Sequence, residues 1–134
     1  MLDFDGVLHP SQGSDVPDFA ALPLLEGALS GLECSVVISS TWREHYPLTE
    51  LRALLGNVIR PHVVGVLGPD QYGQHVRYRN ILVWLNANTW CTDWRALDDS
   101  ASEFPPECPQ LILCDGRIGM SALQVQVIKA WLRA

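Results

Sequence analysis

The chain has 134 residues, of which 48% are hydrophobic, and a formal net charge of −6 at pH 7. This length suits one core, so we expect residues 1–134 to form a single domain. The acidic balance and the presence of only one lysine, Lys129, argue against a broad basic surface for duplex nucleic acid. No apolar run approaches the ~18 residues of a membrane span, so we expect no membrane insertion.

Short apolar runs predict buried β-strands at 1–4, 35–39, 94–97 and 111–114, and a weaker run at 63–67 predicts an edge strand. The stronger runs are continuous and do not alternate with polar residues. That pattern is typical of strands covered on both faces, as in a parallel sheet.

Helical periodicity lies between these runs, over 22–32, 48–55 and 76–85. A last helix is predicted to begin after Ser121, because Gln124 follows three residues later and the pair forms a capping-box pattern. Strands that alternate with helices predict an α/β fold. We expect a doubly wound, Rossmann-like parallel sheet with helices on both faces.

Two aspartates with one residue between them follow the first apolar run. Because residues i and i+2 of a strand point the same way, Asp3 and Asp5 are expected side by side. Two carboxylates at ~4 Å repel by about 4 kcal/mol at an effective dielectric near 20. Such a pair needs a counter-charge, and a hard divalent cation such as Mg²⁺ is the obvious one. Gly6 then allows a sharp turn and the close approach of a ligand.

Polar side chains also follow the later strands. In an open α/β sheet, ligands bind at the carboxyl ends of the strands. Ser39 and Ser40 follow the second apolar run, and Asp98 and Asp99 follow the run at 94–97. Asp115 follows the last run, where we expect it to form a turn near the cleft.

The order of these segments resembles the haloacid dehalogenase (HAD) superfamily. The resemblance rests on LDFDGVLHP at 2–10, SSTWR at 39–43, RYRNILVWL at 77–85 and LDD at 97–99. These segments are most similar to a small, capless branch that includes the HAD domain of multifunctional RNA repair proteins. No segment is long enough for a substantial cap domain.

The resemblance implies a Mg²⁺-dependent phosphohydrolase that acts on a phosphomonoester through an aspartyl-phosphate. Asp3 would be the nucleophile and Asp5 the general acid and base. Mg²⁺ would be bound by the Asp3 carboxylate, the backbone carbonyl of Asp5, and Asp98 or Asp99. Ser39 would donate a hydrogen bond to a phosphate oxygen.

The cation of the third family motif is normally a lysine, but no lysine precedes Lys129. Arg77 is the expected replacement, because it lies at the edge of the apolar stripe of its predicted helix. Arg79 is the alternative and is expected on the outer face. Arg43 is expected near the leaving group of the substrate and, with Ser40, completes the predicted phosphate-binding set.

Three tryptophans, Trp42, Trp84 and Trp131, are expected in the core rather than as ligand platforms. His9 follows the first motif, and two roles stay open for it: it either lines the cleft or supports the loop. Only two residues precede Asp3, whereas strands are usually about five residues long. We therefore expect either a short first strand or further residues upstream.

The substrate is expected to be phosphorylated, as a small molecule or a nucleic-acid end. The four cysteines lack a CxxC spacing and the start is acidic, which favours a cytoplasmic protein. One alternative is a HAD-fold binding or regulatory module with weak or no catalysis. A phosphoacceptor receiver domain is a second alternative, but its phosphorylated aspartate should lie in mid-chain and its lysine after a late strand.

Overall fold

A computed structural model describes residues 1–134, which form four short strands. The strands are β1 (Val36–Ile38), β2 (Val63–Val66), β3 (Ala96–Asp98) and β4 (Leu111–Leu113). β1 pairs with β2 and β3 pairs with β4, both in parallel. The predicted α/β fold with parallel strands is confirmed. The predicted single doubly wound sheet is not, because the strands form two sheets of two.

The first segment of the chain lies between these two pairs. Leu2 forms isolated parallel bridges with Ile38 on one side and with Leu97 on the other. The Asp3 amide donates to the Leu97 carbonyl at 3.1 Å, but beyond it the chain turns, and two turn amides donate to the Phe4 carbonyl. The predicted strand at 1–4 is therefore wrong beyond Leu2, because the turn takes the backbone out of the ladder.

The chain also contains five α-helices and three 3₁₀ turns. The helices are α1 (Leu22–Leu29), α2 (Leu48–Leu54), α3 (Gly56–Ile59), α4 (Val76–Ala87) and α5 (Ala122–Arg133), and the 3₁₀ turns are Thr41–Glu44, Arg60–His62 and Ala101–Glu103. None of the helices has the length and apolarity needed to cross a membrane. The helix predicted at 22–32 ends at Leu29, because Ser30 has an extended ψ of 124° and Gly31 a positive φ of 70°.

The start of α5 agrees with the sequence prediction. Ser121 is the N-cap, and its side chain and that of Gln124 form the capping box. Gln124 also donates from Nε2 to the Leu113 carbonyl at 3.0 Å, which ties the first turn of the helix to β4. The capping residue therefore fixes both the start of the helix and its position on the sheet.

Two apolar clusters cover opposite faces of the strands. In β1, Val36 and Ile38 belong to the larger cluster, which also contains Leu25 of α1. Val37 between them belongs to the smaller cluster, together with Ile81 of α4. Because consecutive strand residues point to opposite faces, α1 and α4 cover different sides of β1. The carboxyl ends of the strands are left between these two layers.

Candidate active site at the carboxyl ends of the strands

Three carboxylates converge where the first segment and β3 end. One oxygen from each of Asp3, Asp98 and Asp99 lies within 4.8 Å of the other two. Asp98 is the last residue of β3 and is 1% exposed, and Asp3, directly after Leu2, is 6% exposed. Neighbouring parallel segments thus deliver these side chains to one point.

Two glycines make room for the Asp99 carboxyl group. A Cβ atom at Gly6 or at Gly116 would overlap with the Asp99 side chain. Gly6 also has a φ of +79°, which glycine adopts far more readily than other residues. The inward position of Asp99 therefore depends on the missing side chains at both glycines.

Arg77 supplies the positive charge beside these carboxylates. Its Nη1 atom lies 2.6 Å from Asp98 Oδ2 and 3.6 Å from Asp3 Oδ1. The Arg77 amide, in the first turn of α4, donates to Glu103 at 3.0 Å. Arg79 is exposed and donates instead to a backbone carbonyl of the preceding loop. The structure thus places Arg77, rather than Arg79, against the carboxylates.

Burial controls the ionisation of the cluster. It raises the pKa of Asp3 to about 7, with the charge of Asp98 adding to the rise and Arg77 opposing it. Burial also raises the pKa of Asp98, which Arg77 opposes, and the pKa of Asp99. Charged groups are costly to bury without a counter-charge. The cluster has three acidic groups and only one arginine, so a further cation would balance its negative charge.

Asp5 does not join this cluster. Its Oδ1 atom lies 2.7 Å from His9 Nε2, and its Oδ2 atom accepts a hydrogen bond from Trp42 Nε1 at 3.1 Å. The Asp5 side chain remains 46% exposed. The Asp5 carboxylate is therefore held by His9 and Trp42 and is not part of the cluster that contains Asp3, and the turn at 6–8 begins directly after Asp5.

His9 and Trp42 have roles that the sequence left open or missed. His9 is 4% exposed, so of the two roles left open it has the one of supporting the loop, and its Nε2 atom contacts Asp5. Trp42 packs against Phe4 and Phe19, as expected of a core residue. Its contact with Asp5 was not predicted, since nothing in the local sequence indicates where an indole N–H points.

The two serines after β1 are both buried. The Ser39 amide donates to the Leu2 carbonyl at 2.9 Å, so this residue continues the bridge between the first segment and β1. The Ser40 hydroxyl accepts a hydrogen bond from the Trp42 amide at 3.2 Å and caps the 3₁₀ turn that follows. Ser40 therefore has a structural role, which the sequence analysis did not predict.

Arg43 binds backbone carbonyls. Its Nη1 atom donates to the carbonyls of Ser39 and Ser40, each at 3.1 Å. Its Nη2 atom donates to the Gly68 carbonyl and to Asp70, and Nε also faces Gly68. Every nitrogen of the guanidinium is engaged in this conformation, so Arg43 fastens the loop after β1 to the loop after β2.

Asn80 is a site-supporting residue that the sequence reasoning missed. It is 3% exposed, its Nδ2 atom donates to Asp70 at 2.9 Å, and its Oδ1 atom accepts from the Gln71 amide at 2.9 Å. These bonds hold the loop that leads into α4 and therefore into Arg77. A polar residue directly before the buried Ile81 is the signal that could have found it.

Asp115 stays outside the cluster, as its predicted turn role suggests. Its carboxylate accepts hydrogen bonds from the backbone and the guanidinium of Arg117. This arginine lowers the pKa of Asp115 to about 2. The pair closes a local turn after β4 and provides no group to the carboxylate site.

The comparisons with known proteins agree with this geometry. The family model described as "HAD domain in Swiss Army Knife RNA repair proteins" matches residues 1–125. No curated protein and no solved structure was found to match the chain. At the level of the superfamily, HAD domains support a function of the phosphohydrolase type. The chain belongs to the family of HAD domains of Swiss Army Knife RNA repair proteins.

Proposed function

We propose that the protein is a Mg²⁺-dependent phosphohydrolase that cleaves a phosphomonoester through an aspartyl-phosphate on Asp3. The observation that carries this proposal is the convergence of Asp3, Asp98 and Asp99 with Arg77 at the carboxyl ends of the strands. Membership of the HAD family supports the same reaction class.

The donor set fits a hard divalent cation. The carboxylates of Asp3 and of Asp98 or Asp99 would hold it with the Asp5 carbonyl, which accepts no backbone hydrogen bond. Burial, with the nearby Asp98 charge, raises the pKa of the Cys114 thiol to about 12. Mg²⁺ also prefers oxygen ligands to sulfur. When bound, Mg²⁺ would offset the charge of the carboxylates and of the incoming phosphate.

Asp3 is the proposed nucleophile. The Phe4 amide donates to its Oδ1 atom at 2.9 Å, which fixes the orientation of the carboxylate. A carboxylate oxygen of Asp3 would form a bond to phosphorus while the bond from phosphorus to the leaving oxygen breaks. Arg77, which already contacts Asp3, would bind the phosphate oxygens, and the buried Ser39 would donate to one of them.

Asp5 is the proposed general acid and base. It would give a proton to the leaving oxygen and later take one from the water that hydrolyses the aspartyl-phosphate, which regenerates Asp3. Its partial exposure leaves it accessible from the cleft. Ser40 and Arg43, expected at first to bind phosphate, are proposed instead to hold the loop that carries Ser39.

The substrate is proposed to be phosphorylated, and a nucleic-acid end is favoured over a small molecule. Between His9 and Ala21 there is no helix or strand that could form a cap, so a large substrate could reach the cleft. Tyr46 is 43% exposed and packs on Trp42, with ring centroids 5.6 Å apart. An exposed aromatic ring near Asp5 could stack on a base.

The arrangement of strands fits the same interpretation. Because Leu2 bridges both β1 and β3 in parallel, we propose that the two sheets act as halves of one doubly wound arrangement. Their carboxyl ends would then share one edge, where ligands bind in α/β proteins.

Phosphate release is the direct test. The protein would be assayed with Mg²⁺ on p-nitrophenyl phosphate, sugar phosphates, nucleotides and oligonucleotides phosphorylated at the 3′ or the 5′ end. We expect turnover that is lost in EDTA and in Asp3→Asn. Full activity in EDTA would contradict the metal mechanism. A folded protein that binds Mg²⁺ but releases no phosphate would favour the alternative of a binding or regulatory module.

A further inference from the structure

Two donors, one from the buried His9 and one from the half-buried Trp42, hold both oxygens of the Asp5 carboxylate. His9 Nε2 lies 2.7 Å from Oδ1, and Trp42 Nε1 donates to Oδ2 at 3.1 Å. We name His9 and Trp42 the Asp5 clamp. Asp5 lies outside the carboxylate cluster, and Arg77 pairs with Asp3 and Asp98 but not with Asp5.

The backbone determines which ring nitrogen of His9 carries the proton. The Phe19 amide donates to His9 Nδ1 at 3.1 Å, so this nitrogen has no proton of its own. The proton of the neutral ring is then on Nε2, which donates it in a hydrogen bond to Asp5. Phe19 has a φ of 62°, which is uncommon for a residue other than glycine. This conformation aims its amide at the ring.

The surroundings of His9 prevent its ring from turning away. Phe19 contacts the ring edge to face with centroids 5.4 Å apart, and Trp42 lies at 5.9 Å. Only 4% of His9 is exposed. The ring is therefore fixed, and it has no surface that a substrate could contact.

We propose that the Asp5 clamp is a positioning device that aims the Asp5 carboxyl group at the leaving oxygen. This inference rests on the proposed function, because it takes Asp5 as the general acid. His9 and Trp42 are positioning residues and do not touch the substrate. Aligned proton transfer contributes typically ~10²–10⁴-fold to a rate, so a loosened Asp5 should lose part of that factor.

The dependence of the rate on the leaving group separates positioning from general damage. Nitrophenolate leaves without much help from an acid, whereas the benzyl alkoxide needs a proton. The value of kcat/KM covers only the steps up to the first irreversible one, so it reports formation of the aspartyl-phosphate. We would measure kcat/KM for p-nitrophenyl phosphate and for benzyl phosphate, with Asp5→Asn as the reference for a lost acid.

Three variants form a graded series. His9→Leu should lower kcat/KM for benzyl phosphate by ~10-fold or more and that for p-nitrophenyl phosphate by less than about 3-fold. His9→Gln keeps an N–H donor and should recover part of the loss. Trp42→Phe keeps an aromatic ring but removes the donor. It should therefore also lower kcat/KM for benzyl phosphate relative to that for p-nitrophenyl phosphate. If His9→Leu does not fold, Trp42→Phe decides the outcome.

An independent measurement needs no turnover. The ¹⁵N signals of His9 should report a neutral ring with the proton on Nε2, and the indole N–H signal of Trp42 should move in Asp5→Asn. The indole of Trp131, which donates to Asp93, serves as the control and should not move. A proton on Nδ1, or an unmoved Trp42 signal, would overturn the clamp.

The outcomes separate this inference from the function on which it rests. If Asp3→Asn is inactive and Asp5→Asn shifts the ratio of the two esters, the proposed function stands. Unchanged ratios in both His9→Leu and Trp42→Phe would then overturn the clamp alone. Equal losses on both esters would also overturn it, since they would indicate only structural damage. An Asp3→Asn variant as active as the parent would instead refute the proposed function.

Discussion

An aspartate lies near the carboxyl end of both β3 and β4, but the two have different surroundings. The strands are parallel neighbours in register; Asp98 is the last residue of β3, and Asp115 lies two residues beyond the end of β4. Burial raises the pKa of Asp98 at the end of β3, and Arg77 contacts it. Asp115 after β4 is exposed, and Arg117 lowers its pKa to about 2.

The origin of the partner explains this difference. Arg117 lies two residues after Asp115, so that pair is satisfied locally and needs nothing from the rest of the fold. Arg77 comes from α4, 21 residues before Asp98, and only the packing of α4 brings it to the strand ends. A strand-end aspartate therefore becomes part of a site where other elements converge on it.

The largest expected effect is the loss of turnover when an aspartate of the cluster is replaced, compared with replacement of the exposed Asp115. Asp3→Asn should reduce turnover to below about 1% of the parent with the fold retained, because the proposed nucleophilic oxygen is lost while the volume is kept. Asp115→Asn should stay within about 2-fold of the parent, since it lies in an exposed turn. Phosphate release and circular dichroism measure the two properties. Higher residual activity in folded Asp3→Asn would exclude Asp3 as the nucleophile.

Removal of the proposed metal ligands is the next test. The double variant Asp98→Asn and Asp99→Asn should weaken Mg²⁺ binding by orders of magnitude, measured by titration calorimetry. Asp115→Asn is the matched control and should bind as the parent does. Ca²⁺ should not support turnover, because it takes more ligands at longer distances. Unchanged Mg²⁺ affinity in the double variant would mean that the ion binds elsewhere.

Replacing each of the two arginines of α4 in turn tests which of them serves the site. Arg77→Ala should lower kcat/KM by ~10²-fold, as expected when one preorganised charge donor is lost. Arg79→Ala should stay within a few-fold of the parent, because its side chain faces the preceding loop. Both variants would be assayed on one substrate. A larger loss in Arg79→Ala would contradict the assignment of the phosphate-binding arginine.

The smallest expected effect is the change in the stability of the folded state with pH. The pKa of Asp3 is raised from 3.8 to about 7, so between these values the folded state keeps a proton that the unfolded state has lost. Without a divalent cation, stability should therefore fall as the pH rises from about 4 to about 7. Thermal unfolding in EDTA would measure the fall, which Asp3→Asn should reduce.

Asp115 provides the control for this pH dependence. Its pKa is lowered, so its contribution is present at neutral pH and is lost only as the pH falls below about 4. Asp115→Asn should therefore leave the change in melting temperature between about pH 4 and about pH 7 as it is in the parent. If the melting temperature of the parent did not change in this pH range, the raised pKa of the buried Asp3 carboxyl group would be contradicted.

Local sequence patterns predicted most of the elements. The capping pair Ser121 and Gln124 fixed the start of α5, because a cap depends on residues three positions apart. The helix predicted at 22–32 was too long, since hydrophobic spacing carries no signal for the turn at Gly31. The strand at 1–4 failed for a similar reason, because its ladder ends where the backbone turns to form the site.

The sequence by itself determined the family and which polar residues lie near the strand ends, because motif spacing and strand periodicity are local. Only the tertiary structure decided how these residues meet. It separated Asp5 from the Asp3 cluster, chose Arg77 over Arg79, and gave Arg43 a bracing role. Burial, ring orientation and hydrogen-bond direction depend on residues distant in the chain, and no local pattern encodes them.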